Sequence, residues 1–255
     1  MLISDRVFVI TGAASGLGAA TAQAAVAQGA KVVLLDRDAK KGAAVAGQLG
    51  AAARFCPCDV TDETSVREAL EAGVAAFGRI DVLVNCAGVA PAEKLVGREG
   101  PHALVSFERT IAINLTGTFN TMRLAAARMI GNEPNEHGER GVIVNTASIA
   151  AFEGQIGQIA YAASKGGIVA MTLPAARELA RHGVRVMTIA PGIMETPMLL
   201  GMPQEVQQSL HAMVPFPQRM GKPAEYAALV LHIVSNPYLN GETIRLDGAI
   251  RMSAK

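Results

Sequence analysis

The feature that most limits the fold of this chain is a regular alternation of short apolar runs with longer, Ala-rich segments. Seven apolar runs of strand length occur, in the order VFVITG, KVVLLD, FCPCDV, DVLVNCAG, GVIVNTAS, RVMTIAPG and TIRLDGA. Between them lie segments with helical spacing of apolar residues, among them 19–28, 65–77, 107–130, 160–182 and 224–234. Strands that are apolar almost throughout are typical of parallel sheets covered on both faces, and strand–helix alternation produces right-handed βαβ units. We therefore predict an α/β chain in which five or six helices flank a doubly wound, seven-stranded parallel sheet.

The composition limits the domains, partners and location that we expect. No Pro-, Gly- and Ser-rich linker and no run of charge divides the chain, so residues 1–255 are expected to form a single domain. The 23 Lys and Arg residues nearly balance the 22 Asp and Glu residues, which gives no reason to expect nucleic acid or an anionic membrane as a partner. No uncharged apolar window reaches the length of a membrane span, and the N-terminus carries neither a signal peptide nor a presequence. We expect a cytoplasmic protein.

The three cysteines are not expected to form a disulfide or a metal site. Cys56, Cys58 and Cys86 are an odd number in a chain of this length, which is not the pattern of a disulfide framework. Cys56 and Cys58 have the wrong spacing for a zinc knuckle, and no second cluster of ligands accompanies them. Buried reduced thiols are the simpler interpretation, and no metal is predicted.

A glycine-rich loop follows the first apolar run. The sequence TGAASGLG at residues 11–18 places Gly12, Gly16 and Gly18 in a G-x-x-x-G-x-G spacing between a predicted strand and a predicted helix. Glycine permits a positive φ and brings backbone N–H groups close to a pyrophosphate, and the helix N-terminus adds partial positive charge. A plain strand-to-helix turn is the alternative, but this structural context favours a dinucleotide phosphate site.

Acidic residues at the ends of two further strands bear on the choice of dinucleotide. Asp36 ends the second run, 18 residues beyond Gly18, where a carboxylate can accept hydrogen bonds from both ribose hydroxyls and would repel a 2′-phosphate. This favours NAD over NADP. Arg37 complicates the choice because a basic neighbour can accommodate that phosphate, although the glycine loop itself has no basic residue. Asp59 can accept from the adenine amino group with Val60 against the ring, and ordinary turn chemistry is the alternative.

Later runs bring more candidates to the same edge of the sheet. The sequence NCAG at residues 85–88 has small residues that let the backbone approach a cofactor. Ser148 ends the fifth run, and Tyr161 and Lys165 follow 13 and 17 residues later on a predicted helix. An i, i+4 pair shares one helix face, so this phenol and ammonium can meet at one point, although an isolated pair of this kind is often only a surface pair. Asn114 lies mid-helix, either as a tolerated misfit or as a holder of water beside Lys165.

Together these motifs resemble the short-chain dehydrogenase/reductase family over the whole chain, since TGAASGLG, DV, NCAG, Asn114, Ser148, YAASK and Pro191-Gly192 follow the family order. The resemblance implies a Rossmann fold and an NAD-dependent enzyme. It also implies a catalytic set of Asn114, Ser148, Tyr161 and Lys165. The cofactor contacts that it implies are Gly12, Ser15, Gly16, Leu17, Gly18, Asp36, Asp59, Val60, Cys86, Ala87, Gly88, Tyr161, Lys165, Pro191, Gly192, Ile193 and Thr196.

The family resemblance also implies roles for the catalytic set. Tyr161 takes the proton of a substrate hydroxyl while hydride passes to the nicotinamide, and it acts as the acid in the reverse direction. A phenol with a pKa of about 10 is a poor base at neutral pH, so Lys165 and the positive nicotinamide ring are expected to favour its ionised form. Ser148 would hold the substrate oxygen, Lys165 would bind the nicotinamide ribose, and Asn114 would link Lys165 to solvent through water.

Several longer stretches are similar to one subgroup, the type 2 3-hydroxyacyl-CoA dehydrogenases, also called type 10 17β-hydroxysteroid dehydrogenases. They are residues 140–180, RVMTIAPG, VPFPQRMGKPAEYA and NGETIRLDGAIRM. This resemblance implies oxidation of 3-hydroxyacyl-CoA to 3-oxoacyl-CoA, in fatty-acid or branched-chain acyl-CoA oxidation, by a homotetramer. Because the N-terminus starts close to the first strand, without the extension of the mitochondrial members, we expect a bacterial, cytoplasmic enzyme. The alternatives are a hydroxysteroid dehydrogenase, a 3-oxoacyl carrier-protein reductase and, from another class, a non-catalytic NAD-binding scaffold.

Residues 193–216 resemble the substrate lid of the family and are rich in Met and Leu. Flexible thioether side chains suit a pocket for varied apolar chains, and packing against a neighbouring subunit is an equal alternative. This segment and residues 91–106 match the subgroup poorly, so the acyl group is not predicted. The expected substrate contacts are Ser148, Tyr161, Gln155, Met194, Leu199 and Met202.

Overall fold

A computed structural model describes residues 1–98, 100–200 and 204–254 of the protein. The strands are β1 (Val7–Thr11), β2 (Lys31–Asp36), β3 (Ala53–Pro57), β4 (Val82–Asn85), β5 (Val96–Gly97), β6 (Gly100–Pro101), β7 (Gly141–Thr146), β8 (Val184–Pro191) and β9 (Thr243–Leu246). The α-helices are α1 (Gly16–Ala27), α2 (Ala39–Leu49), α3 (Glu63–Phe77), α4 (Leu104–Ile111), α5 (Gly117–Met129), α6 (Ile159–Ala180), α7 (Pro197–Leu200), α8 (Gln204–Ala212) and α9 (Pro223–Ser235).

The seven long strands form one sheet in the order β3-β2-β1-β4-β7-β8-β9. Every pairing in this sheet is parallel. The chain winds outward from β1 to β3, returns to place β4 beside β1, and then continues in the opposite direction. The strand order reverses between β1 and β4, and such a switch point opens a crevice at the carboxyl ends of the strands. The predicted seven-stranded parallel sheet is confirmed.

The core has two layers, one on each face of the sheet, because successive strand residues point to opposite faces. In β1, Phe8 and Ile10 belong to the apolar cluster that includes residues of α1 and α9. Val7 and Val9 belong to the cluster that includes residues of α3 and α5. All five residues of β1 are buried, which explains why its sequence is apolar throughout.

The helices differ from the sequence-based expectation in number and in shape. Nine α-helices occur among the described residues, rather than five or six. The predicted helix over 107–130 is instead α4, a π-helical segment at Ala112–Thr116, and α5. Residues 193–216, expected to be a loop, contain α7 and α8, while residues 201–203 lie outside the described part of the chain. Within residues 1–98, 100–200 and 204–254, no helix has both the length and the apolar character needed to cross a bilayer.

Candidate active site

A cavity of about 570 Å³ opens at the carboxyl ends of the central strands, where the switch point predicts a ligand. Most of the predicted site residues line this cavity. They are Gly12, Ser15, Gly16, Leu17, Gly18, Asp36, Asp59, Val60, Cys86, Ala87, Gly88, Ser148, Tyr161, Lys165, Pro191, Gly192, Met194, Thr196 and Leu199. Because these residues come from every part of the chain between β1 and α7, the fold gathers motifs that are far apart in sequence.

The glycine-rich loop has a conformation that requires glycine at all three positions of the motif, since Gly16 also has a positive φ, of +55°. Gly12 has a φ of +64°, and a Cβ there would lie 2.8 Å from the Ala87 backbone nitrogen. A Cβ on Gly18 would lie 2.4 Å from the Gly12 carbonyl oxygen. Ser15 is the N-cap of α1, and its hydroxyl makes no capping hydrogen bond. The loop therefore presents the helix N-terminus and a free hydroxyl to the cavity, which suits a phosphate group.

The carboxylate of Asp36 is held in place by the backbone. Its two oxygens accept hydrogen bonds from the N–H groups of Ala14 and Asp38, each at 3.0 Å. Each oxygen keeps a second lone pair that can accept from a ribose hydroxyl. Arg37 lies 3.5 Å from an oxygen of Asp59, so its guanidinium is drawn toward β3. The hydroxyl of Thr61 lowers the pKa of Asp59, with a smaller contribution from the charge of Arg37.

Asn114 lies in the π-helical segment and is fully buried, so it does not line the cavity. Its Oδ1 accepts from the N–H of Val89, and its Nδ2 donates to the Val89 carbonyl, both at 2.8 Å. Nδ2 also donates to the Ser164 hydroxyl at 3.0 Å. Both amide hydrogens are therefore used inside the protein. Only one lone pair of Oδ1 stays available for the water that the sequence interpretation assigned to Asn114.

Ser148 and Tyr161 meet in the cavity across the turn that follows β7. The Ser148 hydroxyl caps a short 3₁₀ turn (Ile149–Ala151) by accepting from the Ala150 N–H at 3.1 Å. The Ser148 side chain also lowers the pKa of the Tyr161 phenol. Burial has the larger effect, and the pKa of Tyr161 is raised overall. The expectation that Lys165 lowers the pKa of Tyr161 is therefore not met in the chain by itself.

The position of Lys165 explains this difference. Its Nζ lies 5.8 Å from the centre of the Tyr161 ring and donates to the Thr146 carbonyl at 2.8 Å. The side chain is buried, with 5% of the residue exposed, and burial lowers the pKa of the ammonium to about 8. Lys165 is thus directed at the end of β7, and with a pKa of about 8 it stays mostly protonated near neutral pH.

Besides Asn114, three predicted residues lie away from the cavity or outside the described chain. Ile193 packs against Val214 and Ile250 in a small apolar cluster. The Gln155 side chain donates to the Ser253 carbonyl at 3.2 Å. Met202 lies outside the described residues. The side chains of Ile193 and Gln155 find their partners elsewhere in the protein.

Some residues of the cavity were missed by the sequence interpretation. Arg109 and Ile113, one helical turn apart, line it from the α4 side, and Val89 and Ala90 follow β4. The sequence signal for Arg109 was weak, since a single Arg on a helix is usually solvated. Thr11 was also missed: its hydroxyl accepts from the N–H groups of Cys86 and Ala87 at 3.1 Å. This contact joins the end of β1 to the loop after β4.

Comparison with known proteins agrees with this geometry. The sequence profile of the family described as short chain dehydrogenase matches residues 6–207. The chain is 58% identical over 252 residues to 3-hydroxyacyl-CoA dehydrogenase type-2 of Homo sapiens, covering 98% of this chain and 97% of that protein. It is 53% identical over 253 residues to the protein of the same name from Drosophila melanogaster, covering 98% and 99%. The crystal structure of 3-hydroxyacyl-CoA dehydrogenase type-2 from Mycobacterium avium matches with a TM-score of 0.94 and 44% identity, covering 98% and 97%.

These similarities place the protein among the oxidoreductases that bind a dinucleotide at a doubly wound sheet. The chain belongs to the short-chain dehydrogenase family. Membership implies a nicotinamide cofactor, NAD or NADP. The residues fit such a group, because glycine at positions 12 and 18 allows the backbone of the loop to pack tightly at the start of α1, and because Asp36 keeps free acceptor sites at the end of β2.

Proposed function

We propose that this protein is an NAD-dependent dehydrogenase that converts the 3-hydroxyl group of an acyl-CoA into a 3-oxo group. The substrate class comes from the relatives at 58% and 53% identity, which carry the name 3-hydroxyacyl-CoA dehydrogenase type-2. The alcohol chemistry rests on one observation, the presence of Ser148 and Tyr161 together in the wall of the cavity. The pathway that fits is the oxidation of fatty or branched-chain acyl-CoA.

Tyr161 is the proposed acid and base. In oxidation it takes the proton of the 3-hydroxyl, and in reduction it returns a proton to the oxygen of the ketone. The nicotinamide ring, when bound, takes up or gives the hydride. The raised pKa of Tyr161 keeps the phenol protonated at neutral pH, which suits the acid role directly. The base role needs added positive charge near the phenol, for which Lys165 is the proposed protein source.

Ser148, Lys165 and Asn114 have supporting roles in this proposal. Ser148 keeps one hydrogen for the substrate oxygen while it accepts from the Ala150 N–H, so it can hold that oxygen beside Tyr161. Lys165 has three donors, and only one is used on the Thr146 carbonyl, so two are free for ribose hydroxyls and water. Asn114 can accept one more hydrogen bond at Oδ1, which allows a single water on the route from Lys165 to solvent.

NAD is the proposed cofactor because of the charge at the end of β2. The carboxylate of Asp36 is fixed by two backbone N–H groups, and a 2′-phosphate near it would meet a like charge. Arg37 is the residue that could offset this repulsion, and it lies 3.5 Å from the carboxylate of Asp59 instead. A pair this exposed is weak, so Asp36 supports the preference more than the pairing does.

The acyl chain is proposed to lie against the segment that begins after β8. Met194 and Leu199 of this segment line the same cavity as Ser148 and Tyr161. Each CH₂ group that is buried contributes about 0.8 kcal/mol, so the KM should fall with chain length until the apolar space is filled. The CoA moiety would stay in the open part of the cleft.

A homotetramer in the cytoplasm is the proposed state of the protein. Several large apolar side chains are exposed on α4, α5 and α6, and such surfaces commonly mark subunit contacts. They are Leu104, Val105, Phe119, Ile159 and Leu173, which are 44% to 71% exposed. The alternative to a substrate lid is that residues 193–216 pack against a neighbouring subunit.

The test is a comparison of ketone substrates with NADH and with NADPH. We expect acetoacetyl-CoA to be reduced with NADH, while free acetoacetate and a steroid ketone give much lower kcat/KM. Activity on the steroid alone would favour a hydroxysteroid dehydrogenase, and a preference for NADPH with a carrier-protein thioester would favour a 3-oxoacyl reductase. NADH binding without turnover of any ketone would favour the non-catalytic scaffold.

A further inference from the structure

Residues 149–158 form the connecting loop between the two groups that touch the substrate oxygen in the proposed function, Ser148 and Tyr161. Ser148 caps the first turn of this loop, and α6, which carries Tyr161, begins directly after it. The distance between the serine hydroxyl and the phenol therefore depends on how firmly the loop is held. A misplacement of about 1 Å at a catalytic group can lower a rate by about 100-fold.

The connecting loop packs closely on the first turn of α6. A Cβ on Gly154 would lie 2.9 Å from the Cβ of Ala162, the residue next to Tyr161. On its other side, the Gly157 carbonyl accepts from the Glu93 N–H at 2.8 Å. The loop is thus in contact with α6 and with the backbone of Glu93, but neither contact involves a charged side chain.

Arg245, near the end of β9, supplies the closest charged contact, and Arg251 lies 3.5 Å from the same carboxylate of Glu153. The two terminal nitrogens of Arg245 donate to the two carboxylate oxygens of Glu153 at 2.7 and 2.8 Å, which is the paired geometry of an Arg–carboxylate bridge. Its Nε donates to Asp247 at 2.7 Å, and Nη2 also donates to the Ile250 carbonyl at 3.1 Å. The guanidinium lies 5.2 Å from the centre of the Phe152 ring.

This bridge is more buried than an ordinary surface ion pair, so water screens it less. The side chains of Arg245 and Glu153 are 22% and 25% exposed, and that of Asp247 is 7% exposed. The hydrogen bonds from Arg245 lower the pKa of Glu153, and those to the two carboxylates raise the pKa of Arg245. Four of the five N–H donors of one guanidinium are therefore used to join three parts of the chain: the connecting loop, the end of β9 and the segment after it.

The segment after β9 reinforces the same loop. The Ile156 N–H donates to the Ala254 carbonyl at 3.1 Å, and Gln155 donates to the Ser253 carbonyl. Ile250, which is 1% exposed, packs in one apolar cluster with Ile149, the residue that follows Ser148. The carboxyl-terminal part of the described chain thus covers the connecting loop from its first residue to its last turn.

We propose that Arg245 is a positioning residue, which holds the connecting loop through Glu153 and thereby sets the geometry of Ser148 and Tyr161. It touches neither substrate nor cofactor. This inference rests on the proposed function for its effect on catalysis, but the bridge between Arg245 and Glu153 is itself a property of the fold. It can therefore be measured separately from activity.

The experiment replaces Arg245 by Gln and by Lys in the full chain, with Glu153→Gln as a second variant that removes the bridge from the loop side. Arg177→Gln is the matched control, because it removes an equally charged, exposed side chain on α6. Hydrogen exchange is followed in the peptide that contains residues 149–158. We expect faster exchange there in Arg245→Gln and Glu153→Gln, an intermediate effect in Arg245→Lys, and no change in Arg177→Gln.

Activity is measured with NADH and acetoacetyl-CoA in the same variants. We expect Arg245→Gln and Glu153→Gln to lower kcat about tenfold or more while the Kd of NADH changes less than about twofold, because the dinucleotide is held at other strand ends. In a Tyr161→Phe background the same substitution should lower kcat much less, since the group that the loop positions is already absent.

Unchanged hydrogen exchange in residues 149–158 would show that Arg245 does not hold the connecting loop. Faster exchange with an unchanged kcat would show that holding the loop does not position the catalytic groups. An equal loss of kcat in the Tyr161→Phe background would mean that Arg245 acts only on general stability. If the wild type turns over no ketone at all, the proposed function fails, and the exchange result still decides whether Arg245 holds the loop.

Discussion

Replacing Lys165 by Met should stabilise the cofactor-free protein at neutral pH while it removes activity. Burial lowers the pKa of Lys165 from its ordinary value of 10.5 to about 8. At about 1.36 kcal/mol for each pH unit, burial therefore disfavours the charged amine by about 3 kcal/mol. Methionine has no charge to desolvate, but it leaves the Thr146 carbonyl without its 2.8 Å hydrogen bond. The loss of this hydrogen bond offsets about 1 kcal/mol of the gain in the free energy of unfolding. The net gain of about 2 kcal/mol corresponds to a rise in Tm of about 4–8 °C for a chain of this size.

The sign of the pH dependence makes this prediction specific. In the folded state Lys165 loses its proton near pH 8, and in the unfolded state it does so near pH 10.5. Between these values the unfolded chain binds more protons, so the free energy of unfolding of the wild type rises with pH across this window. The Lys165→Met variant lacks this contribution. Its advantage over the wild type should therefore be largest below about pH 8 and should disappear by about pH 10.5.

The assay is urea unfolding of wild type and variant at one protein concentration, without cofactor, at about pH 7 and about pH 10. Lys94→Met, at an exposed lysine, is the matched control for the loss of a lysine. A Lys165→Met protein that is less stable than the wild type at neutral pH would refute the reasoning. So would a stability difference that is the same at both pH values, since the desolvated charge would then not be its cause.

Three further predictions concern the cofactor and the assembly. Asp36→Ala should narrow the preference for NAD⁺ over NADP⁺, mainly by raising the KM for NAD⁺; equal kcat/KM for the two cofactors in the wild type would mean that Arg37 dominates instead. Gly18→Ala places a Cβ 2.4 Å from the Gly12 carbonyl oxygen, so it should weaken NADH binding about tenfold or more in a fluorescence titration. Gly47→Ala on α2, where nothing lies within 4 Å of the added Cβ, is its control and should leave binding unchanged. Light scattering should report a homotetramer, and a monomer at micromolar concentration would exclude it.

The sequence was sufficient for the sheet and for the residues at its carboxyl edge. Strands buried on both faces must be apolar throughout, so β1, β2, β4, β7 and β8 stand out from their neighbours. The residues that end these strands are fixed by the strands themselves. For this reason Gly12, Asp36 and Ser148 reach the cavity where the pattern predicts them.

The sequence was not sufficient for features that depend on tertiary packing. The helix α2 has only Gly42 buried, so its apolar pattern is weak. The π-helical turn at Asn114 depends on hydrogen bonds to Val89 and Ser164, which are 25 and 50 residues away in the chain. The pKa of Tyr161 depends on its burial, which no local pattern reports. The hydrogen bond from Gln155 to Ser253 spans 98 residues and is equally invisible in the sequence.

The most direct test of the proposed chemistry is the kcat of Tyr161→Phe with NADH and acetoacetyl-CoA, measured beside the Kd of NADH. Tyr238→Phe, at a tyrosine that is 97% exposed, is the matched control and should retain the wild-type kcat. Because the substitution removes only the phenolic oxygen, we expect kcat to fall by about 10²–10⁴-fold or more, with the Kd of NADH nearly unchanged. A Tyr161→Phe enzyme that retains more than about a tenth of the wild-type kcat would contradict the assignment of Tyr161 as the acid and base.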